Sequence, residues 1–142
     1  APRVGLEVEL VGIPMRYTQE NLVRKSVCTI MGQVFVREDI FSFSKSYQHQ
    51  CSMLPGSSGS PLIDRSTSEG DIVAINNTTV NDGTDAQESC SLNRPCEQEE
   101  GQSESYTNLV MNYAQPVVFL AFCFNNEGRF EDTLSDCHLV GG

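Results

Sequence analysis

Between Val4 and Val11 the chain alternates strictly, with Val4, Leu6, Val8 and Leu10 on one parity and Gly5, Glu7 and Glu9 on the other. A period of two sends one parity to each face of an extended backbone, so residues 4–11 predict a half-buried strand. Gly12-Ile13-Pro14 ends it, because proline has no N–H to give to a ladder. The same kind of run recurs along the chain. Residues 26–36 (SVCTIMGQVFV) are rich in β-branched and apolar types, with Gly32 expected as a bulge. Arg37-Glu38-Asp39 predicts a turn, and residues 40–47 (IFSFSKSY) alternate again. Leu62-Ile63-Asp64 and Asp71 to Ile75 predict short strands around the loop Arg65 to Gly70. Pro116 to Phe124 predicts a short helix with Pro116 at its first position. Many short strands and one late helix predict an all-β barrel or sandwich.

A chain of 142 residues can bury one modest core, and 39% hydrophobic with 20% charged residues predicts a globular chain. The net charge of -10 argues against nucleic acid and against anionic membrane surfaces as partners. Glu97, Glu99, Glu100 and Glu104 carry part of that charge and read as a solvated loop, within a long polar insertion over residues 81–105. The longest apolar run, Pro116 to Phe124, falls well short of the roughly 20 residues of a membrane span. Ala1-Pro2-Arg3, with no basic segment and no initiator Met, reads as a mature or internally cut terminus.

Six cysteines, Cys28, Cys51, Cys90, Cys96, Cys123 and Cys137, are an even count that favours three disulfides and an oxidising compartment, secreted or periplasmic. Spacing leaves the pairing open; the sequence-local choice joins Cys28–Cys51, Cys90–Cys96 and Cys123–Cys137. A zinc site is disfavoured, since no two cysteines form a C-x-x-C pair and the histidines number two. No metal and no cofactor are expected.

Pro55 to Pro61 is dense in Gly, Ser and Pro and must be a tight loop. Within it, Gly56-Ser57-Ser58-Gly59-Ser60-Pro61 has the makings of a nucleophile and an oxyanion site. A serine needs a base to take its proton and donors to hold the developing oxyanion. Glycines let backbone N–H groups turn toward one point. By itself such a loop is also what joins ordinary strands. Its surroundings say more: Gly-Ser-Ser-Gly-Ser-Pro-Leu-Ile, followed after a short loop by Gly70-Asp71-Ile72-Val73-Ala74-Ile75-Asn76-Asn77, resembles the chymotrypsin-like serine proteases. The pattern is most similar to the branch that includes the bacterial glutamyl endopeptidases. Leu10-Val11-Gly12-Ile13-Pro14 resembles the segment closing the first strand of that family's second barrel. Tyr106-Thr107-Asn108-Leu109-Val110 resembles the run before its C-terminal helix. The likeness covers residues 4–80 well and 105–124 loosely.

The resemblance implies a fold and a set of roles. Residues 1–110 would form a six-stranded antiparallel Greek-key barrel, the second of the double barrel, interrupted by the 81–105 insertion. Residues 111–142 would form the C-terminal helix and a tail tied back by a disulfide. Ser58 would be the nucleophile, the N–H groups of Gly56 and Ser58 the oxyanion hole. Ser52, Met53, Asn76, Asn77, Thr78 and Thr79 would line the substrate pocket. Asn76 and Met53 stand where glutamyl endopeptidases use a histidine and a hydroxyl, so a small or medium apolar side chain is the expected preference. Ser57 replaces the acidic residue that pairs with a new N-terminus in the trypsin branch, so no switch of that type is expected.

The family's histidine and aspartate lie on its first barrel, and no Thr-Ala-Ala-His-Cys-like motif occurs here. His49 precedes the loop and His138 lies in the tail; both read as surface or pocket-edge residues. Asp64 reads as a turn or surface carboxylate. The chain is therefore expected to be the C-terminal product of a processed precursor, working with an N-terminal half that supplies His and Asp as a second chain on peptide or protein substrates. The rival readings are a non-catalytic protease homologue that binds a partner, and a disulfide-bonded structural domain with a chance motif. Asn76-Asn77-Thr78 and Asn77-Thr78-Thr79 both form glycosylation sequons, read as accidental because a glycan there would block the pocket.

Overall fold

The computed structural model describes residues 3–12, 23–53, 57–80, 90–99 and 101–137. Among them are eight strands and one short helix: β1 (Glu7–Gly12), β2 (Arg24–Thr29), β3 (Gly32–Glu38), β4 (Phe41–His49), β5 (Pro61–Asp64), β6 (Ile72–Thr79), β7 (Cys96–Gln98), β8 (Asn112–Pro116) and α1 (Val118–Ala121). The strands form a single sheet in the order β2-β1-β5-β6-β8-β4-β3-β7, antiparallel at every pairing. The all-β expectation holds; the pairings do not close into a ring.

The sheet nevertheless coils on itself. β2 and β4 stand first and sixth in the order. In a flat sheet five spacings of about 4.8 Å would set them about 24 Å apart. Yet Cys28 on β2 and Cys51 just past β4 are joined by a disulfide with their Cα atoms 5.1 Å apart. The Met31 N–H also donates to the Gln48 carbonyl at 2.8 Å. Leu6, Val8, Leu10, Ile30, Tyr47, Leu62, Ala74 and Ala114 fill the inside of the coil. The parity read at Leu6, Val8 and Leu10 is thus the core face, but Val4, expected to share it, is exposed in a turn before β1, and the strand begins at Glu7. The other two disulfides are Cys90–Cys96 and Cys123–Cys137, so all six cysteines are paired.

Three local expectations are corrected. Residues 26–36 are two strands, broken at Ile30-Met31. There the backbone leaves β1, where Ile30 exchanges bonds with Gly5 and Leu6, and joins β4 through Met31. Gly32 opens β3, and the irregularity in the β3–β4 ladder falls between Val34 and Val36 instead. Pro116 closes β8, pairing opposite Ala74, and the helix begins at Val118.

The expectation for the polar insertion is corrected as well. Its residues 96–98 form β7 on the outer edge of β3. Glu97 is fully buried, not solvated. Its carboxylate accepts bonds from the Gln48 amide and the Tyr106 and Tyr113 hydroxyls. Three donors can replace the water a buried carboxylate loses. Burial first, then the nearby carboxylate, raises the Tyr113 phenol far above its usual range.

Candidate active site

The Gly-Ser loop that holds Ser58 runs into β5 and is held by β6. The Ser60 N–H donates to the Ser57 carbonyl at 3.2 Å, closing a four-residue turn with Ser58 and Gly59 at its centre. Gly59 has φ +85°, the left-handed value that the third residue of a type II turn requires. A Cβ on Gly59 would meet nothing within 4 Å, so conformation explains this glycine rather than space. Ser57 and Ser60 face inward, and Ser58 is exposed at the crest.

β6 grips the turn through Asn76 and Asn77. The Asn76 N–H donates to the Ser60 carbonyl and the Asn76 carbonyl accepts from the Gly59 N–H, each at 2.8 Å. The Asn76 side-chain Nδ2 donates to the Ser57 carbonyl at 3.0 Å. The register between β6 and β8 slips between Asn76 and Thr78, making Asn77 the bulged residue. Such a bulge turns its backbone out of the ladder. The Ser58 Oγ donates to that freed Asn77 carbonyl at 3.1 Å. Among the described residues the N–H of Ser58, expected as an oxyanion donor, makes no backbone bond. Gly56, the other expected donor, lies outside the described residues.

The expected pocket residues divide. Ser52 is exposed, and its N–H donates to the Ser26 hydroxyl at 2.8 Å. With Ser26, Ser57 and Ser60 it borders a void of about 10 Å³ behind the turn. Met53 packs against the core. Thr78 is half-buried. Thr79 gives its hydroxyl to Asn112, whose amide donates to the Cys51 carbonyl at 2.8 Å. Asn76 is turned wholly inward, 1% exposed. The Asn77 Nδ2 is buried and has no partner among the described residues. Neither sequon therefore presents an open amide in the folded protein.

His49 is not at the surface: it is fully buried at the end of β4. Its Nδ1 accepts the Cys51 N–H at 3.2 Å, which places the ring proton on Nε2, 3.0 Å from Asn76 Oδ1. Burial lowers its pKa from 6.5 to about 4, with the Asn76 bond opposing, so the ring is neutral near pH 7. It does not reach Ser58. The Cys28, His49 and Cys51 ligand atoms cluster within 4.8 Å of one another. The two sulfurs are bonded to each other, so neither is a thiolate ligand. Asp64 ends β5 as a turn carboxylate, accepting the Ser66 N–H and hydroxyl at 2.7 Å each, and the hydroxyl bond leads in holding its pKa down. His138 lies outside the described residues. No described histidine or carboxylate bonds the Ser58 hydroxyl.

The inward parity of β4 could have exposed His49 earlier. Tyr47, His49 and Cys51 share one parity and one buried face. Ala74 and Asn76 do the same on β6. A polar residue in such a position needs a buried partner, and these two find each other across β8.

No protein-family model matches the chain, and no curated protein matches it.

Proposed function

We propose that the chain is the C-terminal part of a chymotrypsin-like serine endopeptidase, its coiled sheet the second barrel of that fold. The observation that carries the reading is the turn Ser57–Ser60, which presents Ser58 at an exposed crest while a bulged strand grips its flanks. Its glycine sits at φ +85°, which the Ser-Gly sequence allows. Ser58 Oγ would leave the Asn77 carbonyl and attack the scissile carbonyl carbon. Its proton would pass to a histidine of the N-terminal half and on to the leaving amine. The oxyanion would form against the N–H groups of Gly56 and Ser58, and water would then release the acyl group from Ser58.

Two further observations support the setting. Phe119, Leu120, Phe122 and Phe124 are exposed in one short stretch, an apolar surface of the kind a partner half would cover. Three disulfides suit a secreted or periplasmic compartment.

A fluorophosphonate probe tests the reading. The native protein should be labelled at Ser58, and Ser58→Ala should abolish labelling. Intact mass and native gel analysis should find a second chain carrying His and Asp. A single stable monomer of this chain, unlabelled, would overturn the reading. It would favour instead the non-catalytic homologue, which the bond from Ser58 Oγ to Asn77, with no base attached, also suits.

A further inference from the structure

We infer that His49 is a positioning residue for the Ser58 turn, acting through the Asn76 carboxamide; this rests on the reading of Ser58 as a nucleophile. The chain of bonds has one consistent direction. A backbone N–H can only donate, so Cys51 makes Nδ1 of His49 an acceptor and leaves the proton on Nε2. Nε2 then donates to Asn76 Oδ1, which fixes the carboxamide's orientation. Its Nδ2 is left facing the Ser57 carbonyl, one peptide unit before Ser58.

Every member is withdrawn from water: His49 and Asn76 are at most 1% exposed and Ser57 is 5% exposed. Water cannot substitute for a lost member, and no second orientation of the amide satisfies both neighbours. Asn76 alone bonds three of the four turn residues, Ser57, Gly59 and Ser60. Leu62, Ala74, Ala114 and Tyr47 show that this region accepts apolar packing. An apolar pair at 49 and 76 could pack there too, and would take the Asn76 bond away from the Ser57 carbonyl. A polar pair in such a place specifies geometry at some cost in burial. His49 touches neither Ser58 nor solvent, so it acts through Asn76 and not as the base.

The test uses the native assembled protein and three variants. His49→Leu removes the relay. Asn76→Asp keeps the shape and the bond to His49, but sets an oxygen without a proton against the Ser57 carbonyl. His49→Gln can still accept from Cys51 and donate to Asn76. Two readouts are followed: the rate of fluorophosphonate labelling at Ser58, and amide hydrogen exchange at Gly59 compared with Leu10 and Leu62 in the core. His49→Leu and Asn76→Asp should each slow labelling and speed Gly59 exchange by about tenfold or more, the effect of one buried hydrogen bond. Core exchange should change less, and His49→Gln should recover most of both. If His49→Leu does not fold, Asn76→Asp and His49→Gln decide the matter. Unchanged labelling and unchanged Gly59 exchange in folded Asn76→Asp would overturn the inference. So would exchange that rises equally at Gly59 and in the core. Wild-type protein that takes no label overturns the nucleophile reading, and the exchange readout still decides the relay.

Discussion

Acid should weaken this protein through His49 before it reaches most carboxylates. The buried ring has a pKa of about 4, against 6.5 for an exposed one. Between those values the unfolded chain binds a proton that the folded chain refuses, so folding stability rises with pH. The contribution is complete above about pH 6.5 and is lost as pH falls toward about 4, at up to about 1.4 kcal/mol per pH unit. Over the whole window a drop of that size is worth about 3 kcal/mol. The geometry gives the cause. A proton added at Nδ1 would point at the Cys51 N–H, donor against donor, in a site with no exposure. Urea unfolding from about pH 7 to about pH 4.5 at constant ionic strength measures the slope. His49→Gln, which cannot titrate, should flatten it by most of that amount. A slope unchanged by His49→Gln would refute the reasoning, as would an NMR titration of His49 with a midpoint near 6.5.

Gly59→Ala should cost about 1–2 kcal/mol, because the left-handed turn penalises any Cβ although space is free; thermal melting checks this. Replacing the Cys28–Cys51 pair by alanines should cost about 3 kcal/mol against about 2 for Cys90–Cys96, as the closed loops differ in length. Denaturation midpoints of the two variants should fall in that order. Glu97→Ala should cost about 3 kcal/mol in the same assay, since it strands the buried Tyr113 hydroxyl and takes an acceptor from the Gln48 amide. Glu97→Gln should cost less, because a tyrosine hydroxyl can turn to accept from the new amide.

The strand content was legible because a period of two is written locally, residue against next residue. Leu6 to Val11 announces its own faces without reference to the rest of the chain. The turn was legible for a similar reason: Ser58-Gly59 carries in its own chemistry the ability to take a left-handed φ. The break at Ile30-Met31 was not, because both halves have the same strand propensity. What separates them is a change of partner, from β1 to β4. Glu97 read as solvated for lack of any sign that Gln48, Tyr106 and Tyr113 would gather around it.

Sequence alone determined an all-β chain, its six cysteines and a serine on a glycine turn, since each is a property of a few neighbouring residues. Only the tertiary structure decided that His49 and Asn76, 27 positions apart, meet inside the coil and reach the turn from below. β6 and the end of β4 both pair with β8, which sets their inward residues side by side, and in the enclosed space of the coil two buried polar groups had to satisfy one another.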